Sequence, residues 1–130
     1  MANFCIVTNN PDVAVAYGGL ARVVAGGVDS VFFAVRDAVH LGAMLISHPL
    51  AGSVKPGENP YRSVVVSTAQ GPVDTASLAA IEDAIAVLRR LPARAGRHGR
   101  QVLDDFKSLD LDLVRSAMGA LPAQYHQHAT

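Results

Sequence analysis

Cysteine is nearly missing from this sequence, with Cys5 alone among 130 residues. A single thiol excludes an internal disulfide framework and a four-cysteine zinc site. Cys5 lies in the apolar run Phe4-Cys5-Ile6-Val7, where packing is expected rather than redox chemistry. Tryptophan is absent and aromatic residues make up only 5% of the chain, which leaves little for stacking nucleic-acid bases. Neither charge sign is in excess. Eleven basic residues face eleven acidic ones, against a strongly basic nucleic-acid binder or an acidic tail protein. No apolar run approaches the roughly 18 residues of a membrane helix. The start, Met1-Ala2-Asn3 and then a short apolar run, lacks the positive region and the roughly 7–15 apolar residues of a secretory signal. The expectation is a soluble cytoplasmic protein that binds neither membrane nor nucleic acid.

Nucleotide-binding signatures are missing too. The first apolar run leads into Thr8-Asn9-Asn10-Pro11 rather than a Gly-x-Gly-x-x-Gly turn, and no Gly-Lys-Ser/Thr loop occurs. No cofactor is expected. His126 and His128 flank Gln127, but a specific metal site needs three or four ligands, so none is expected.

What is present is an apolar half of the chain, enough for one domain with a core of its own. Residues 1–121 are expected to form it and 122–130 to be a frayed tail. Four short apolar blocks, 4–7, 20–25, 43–46 and 63–67, read as strands, and continuous apolar blocks suggest strands covered on both faces. Asn10-Pro11 starts a short helix, with Asn as cap and Pro at the first position. Asp29 or Ser30 caps a second that reaches Leu41. Leu78, Ile81, Ile85 and Leu88 make one stripe of a third, opened by Asp74 and closed by Arg89-Arg90. Residues 102–109 and 111–121 read as two more. The alternation predicts an α/β fold, a three-layer sandwich. Its short, mostly parallel sheet would have about four strands, with a βαβαβ core in order 2-1-3 plus one. Helices would cover both faces and the C-terminus.

In such a sheet, ligands sit beyond the carboxyl ends of strands where the strand order reverses. Two polar corners leave the strands there. One holds Thr8, Asn9 and Asn10. The other is the proline-pinned loop 47–62 with Ser47, His48, Ser53, Lys55 and Arg62. Together they suggest a pocket for a small anionic ligand, with Lys55 and Arg62 adding positive charge. The competing reading is structural: Asn9, Asn10 and Ser47 cap turns and the loop packs as a lid. A catalytic reading, a small hydrolase or transferase, would use His48 as base, Ser53 as nucleophile and Lys55. No Gly-x-Ser-x-Gly elbow surrounds Ser53. A third reading is a homodimeric interaction protein joined through helix 74–91 or the last helices. The arginines of residues 89–100 lack interleaved aromatics and are followed by Asp104, Asp105, Asp110 and Asp112, so a solvated face is expected there.

The middle of the chain resembles the GrdX family, small proteins encoded beside glycine, sarcosine and betaine reductase systems. The resemblance is carried by Thr8-Asn9-Asn10-Pro11, Arg36-Asp37, His40-x-Gly42 and the run His48-Pro49-Leu50-Ala51-Gly52-Ser53-Val54-Lys55-Pro56-Gly57-Glu58-Asn59-Pro60-Tyr61. It covers roughly residues 5–85 and, more weakly, 104–113. Ser47 and Ala51 stand where Thr and Ser are expected. The resemblance implies an accessory role near a reductase complex, with a reductase subunit as a partner of loop 47–62. It supplies no reaction or catalytic residue.

Overall fold

The first strand, β1 (Phe4–Thr8), ends where Asn10 turns the chain into α1 (Pro11–Tyr17). The Asn10 side-chain oxygen accepts the Asp12 N–H at 3.0 Å, and Pro11 fills the first helical position without wasting a donor. A turn of 3-10 helix (Gly18–Leu20) leads into β2 (Ala21–Val23), which runs parallel to β1 with Ile6 opposite Ala21. Then come α2 (Val28–His40), β3 (Ser63–Ser67), α3 (Thr75–Arg90), α4 (Arg100–Gly119) and a final 3-10 turn (Ala123–His128). The computed structural model describes residues 3–51, 58–91 and 99–128.

The sheet is mixed α/β in setting, open and three-stranded, in the order β2-β1-β3. β3 is antiparallel to β1 over its whole length, from Phe4 opposite Ser67 to Thr8 opposite Ser63. This corrects the expectation of about four strands in a mostly parallel sheet. The expected third strand, Ala43–Ile46, makes a single bridge, Leu45 to Val66. Its backbone donors are only partly spent on β3. Met44 N–H reaches the Ser67 hydroxyl and Leu45 N–H the Ser77 hydroxyl, while Ile46 and Ser47 share the Val65 carbonyl. Hydroxyls that intercept backbone donors stop a regular ladder from forming. The segment runs along the outer side of β3, and the chain enters β3 from the rim where β1 ends.

Alternation sends side chains to the two faces of the sheet. Val7, Val64 and Val66 pack on Val31, Phe32, Val35 and Val39 of α2 and on Ile81, Ala84 and Ile85 of α3. Phe4, Ile6 and Val65 point the other way. They pack on Val13 of α1, Val114 of α4, Leu121 and Tyr125. The Tyr125 ring meets Phe4 edge-on at 6.1 Å.

Helix starts and continuity differ from expectation in two places. Gly27, not Asp29 or Ser30, caps α2, and Asp29 in its first turn accepts the Ser30 N–H. The two expected C-terminal helices are one continuous α4, because Asp110 at their presumed break is turned inward and bonded. Asp74 caps α3 as expected. Its carboxylate accepts both the N–H and the hydroxyl of Ser77, which hold it below the usual carboxylate range.

Candidate functional site

The carboxyl end of β1 and the start of β3 meet at one rim, and the register sets Thr8 beside Ser63. Their hydroxyls are 2.7 Å apart. The single proton of Ser63 goes to the Asp110 carboxylate at 2.7 Å, so Thr8 must be the donor to Ser63. Thr8 in turn accepts the Asn10 backbone N–H at 2.9 Å. The Asn10 side-chain amide closes the set, donating to the same Asp110 oxygen and to the Lys107 carbonyl, each at 3.0 Å. These bonds run in one direction and converge on Asp110, which is 2% exposed.

Asn9 ties the next layer. Its amide donates to the carbonyls of Gly26 and Pro60, and its side-chain oxygen accepts the Arg62 N–H at 2.9 Å. Asn59, also buried, accepts the Tyr61 N–H and donates to the Phe106 carbonyl. Two side-chain amides, from Asn10 and Asn59, thus pin consecutive carbonyls of α4 to the rim.

Arg62 is the second buried charge, 4% exposed. It donates through one terminal nitrogen to the Ala51 carbonyl at 3.1 Å. Its Nε has no hydrogen-bond partner among the described residues. Between Arg62 and Asp110 lies a cavity of about 30 Å³, also lined by Ser47, His48, Ser63 and Val114. That is room for about one water-sized group. Burial pushes the Asp110 carboxyl up from its ordinary value, against the bonds from Asn10 and Ser63 and the Arg62 charge. Burial likewise lowers Arg62, opposed by Asp110.

The polar corners read from the sequence therefore share one rim. Thr8, Asn9, Asn10, Ser47, His48 and Arg62 all lie there, while Ser53 and Lys55 fall outside the described residues. The Ser47 hydroxyl accepts the Val65 N–H, and His48 Nδ1 accepts the Leu50 N–H, so a neutral His48 carries its proton on Nε2. Sequence reasoning missed Asp110, which it read as one of the acids that offset the arginine-rich segment 89–100. Phe106, Asp110, Val114 and Ala117 recur at helical spacing, and an acid on that otherwise apolar stripe was the available signal. Outside the rim, Arg36 pairs with Glu82 at 3.6 Å and covers the Phe33 ring at 5.1 Å. Among the described residues there is no group of three or more potential metal ligands, and no helix is long and apolar enough to cross a membrane.

Residues 5–119 match the family described as GrdX-like protein. The chain belongs to this family. The matched span of this GrdX-like protein includes both polar corners and the Asp110 that joins them, as the sequence resemblance implies for the first two. No curated protein and no solved structure matches the chain.

Proposed function

We propose that this GrdX-like protein is a non-catalytic accessory protein that binds a small anion at the rim formed by residues 47–62, with Arg62 as the group that recognises it. The observation that carries this reading is the buried Arg62 Nε with no partner among the described residues. A buried, unpaired donor on a charged group is costly, and a carboxylate or phosphate oxygen relieves it. Thr8, Asn9 and Asn10 serve the site by fixing Arg62 and Asp110 rather than by offering free donors. Ser47, His48, Ser53 and Lys55 complete the proposed contact set. The family resemblance adds the context, an accessory role beside glycine, sarcosine or betaine reductase.

Asp110 sets the conditions. An anion at Arg62 offsets the positive charge that opposes the rise of the Asp110 carboxyl, so binding favours the protonated acid. Affinity then rises as pH falls. A thermal-shift titration with phosphate and with acetate at pH 5.5 and pH 8 tests this. At 100 times its Kd the ligand adds about 2.7 kcal/mol to stability. The expected result is saturable stabilisation, larger at pH 5.5, that disappears in the Arg62→Gln/Asp110→Asn double variant. That variant removes both buried charges together and so keeps the rim neutral. Equal stabilisation of the double variant overturns the proposal. The alternative hydrolase or transferase reading uses His48, Ser53 and Lys55, of which Ser53 and Lys55 lie outside the described residues.

A further inference from the structure

A larger hollow lies on the other side of the same rim. It is a cleft of about 470 Å³ between the start of α2 and the end of α3. Small-molecule sites run from about 300 to 1,000 Å³ and are mostly apolar with a few polar groups. This cleft has that composition. Val28 and Ile85 form a buried floor, and Phe33, Leu88 and Leu91 are half-buried walls. Asp29 and Arg89 stand exposed at its mouth.

The two charges are not equivalent. The Asp29 carboxylate already accepts the Ser30 N–H at 2.9 Å, in the first turn of its own helix. Among the described residues Arg89 makes no ion pair and no side-chain hydrogen bond, whereas Arg36, one turn beyond Phe33, is already taken by Glu82 and the Phe33 ring. The cleft therefore offers apolar surface with one uncommitted cation at its edge. Asn59, which lines the cleft, has its side-chain oxygen and one amide N–H engaged.

We infer that this cleft is a second binding site, for a small organic monocarboxylate whose apolar body lies on Phe33, Ile85 and Leu88 and whose carboxylate meets Arg89. The site is independent of Arg62. Apolar burial supplies the affinity, and the guanidinium selects the sign of the head group.

The absence of tryptophan makes the test direct, because Phe33→Trp places the protein's single tryptophan in the cleft, where it is excited selectively over the three tyrosines. Octanoate, octylamine and octanol share one apolar body and differ in head group. Octanoate is expected to change the emission saturably, with octylamine and octanol at least about tenfold weaker. Adding Arg89→Glu, an exposed change that leaves the core alone, should reverse the preference toward octylamine. Adding Leu88→Asp should abolish binding of all three. Phosphate should not compete, and the Arg62→Gln/Asp110→Asn background should bind octanoate unchanged, which separates this site from the first. Should Phe33→Trp fail to fold, shifts of the Val28, Ile85 and Leu88 methyl signals in the unaltered chain report the same titration. Absence of a saturable response in the methyl signals, equal binding of the three probes, or an unaltered preference in Arg89→Glu overturns the inference.

Discussion

Asp110→Ala is expected to destabilise the protein by about 3 kcal/mol, because two buried donors lose their acceptor at about 1–3 kcal/mol each. Three consequences add up. The Asn10 amide and the Ser63 hydroxyl each lose their acceptor on this carboxylate. Arg62, 4% exposed, loses the carboxylate that opposes its charge. The contact between α4 and the end of β1 loses its bonds to the carboxylate, while the Asn10 bond to the Lys107 carbonyl and the apolar contacts of Val114 remain. Chemical denaturation should show a lower midpoint at unchanged slope. A loss below about 1 kcal/mol would mean that water replaces the carboxylate freely and that the rim is not a closed network.

Asp110→Asn separates charge from shape. It keeps an acceptor for Asn10 and Ser63 and removes the ionisable group, so its mean cost is smaller, about 1–2 kcal/mol. Its pH dependence carries the information. Burial raises the Asp110 carboxyl in the folded state. The native protein therefore takes up this proton at a higher pH than the unfolded chain, whose Asp titrates near 3.9. Stability from this group is fully present below that value and is lost as pH rises through the folded-state value. The advantage of the parent over Asp110→Asn should grow as pH is lowered from neutral toward 4. A difference independent of pH, or one that shrinks on acidification, would show that the carboxyl is not raised.

The sequence is most readable where one local signal suffices. The Leu78, Ile81, Ile85, Leu88 stripe and the Asp74 cap gave α3, and Asn10-Pro11 gave the start of α1. Strand direction is not a local property. Ser63–Ser67 reads as a strand from composition, but whether it runs parallel or antiparallel depends on where residues 43–62 carry the chain. The Ala43–Ile46 run shows the same limit, since an apolar block reports burial, and its ladder was lost to the hydroxyls of Ser67 and Ser77, far along the chain. At the rim, the residue types and their meeting at one edge were legible from β1 ending in Thr8-Asn9-Asn10. The destination of their hydrogen bonds was not, because the acceptor sits about 100 residues away in α4. Asp110 was hidden by its acidic neighbours Asp104, Asp105 and Asp112, which share its chemistry without its burial.

Gly42→Ala is the second large effect, about 3 kcal/mol or more, although it adds a single methyl group. Gly42 ends α2 at φ +110°, a conformation that L side chains rarely adopt and that alone costs about 1–3 kcal/mol. A Cβ there would also collide with the backbone nitrogen of Gly71 and stand 2.8 Å from its oxygen and 2.9 Å from the carbonyl carbon of Gln70. Backbone cannot swing aside as a side chain can, and overpacking of this kind adds about 1–3 kcal/mol. The approach is structural in purpose: Gly71 N–H donates to the Leu41 carbonyl at 3.0 Å, which joins the end of α2 to the turn between β3 and α3. Gly119→Ala is the control. Its Cβ meets nothing within 4 Å, its φ is ordinary and it lies in the last turn of α4, so alanine there should be neutral or stabilising by up to about 1 kcal/mol. Thermal unfolding of the two variants in parallel decides the matter. Equal midpoints would mean that the α2 end yields without cost and that the Gly42–Gly71 contact does not hold the two elements together.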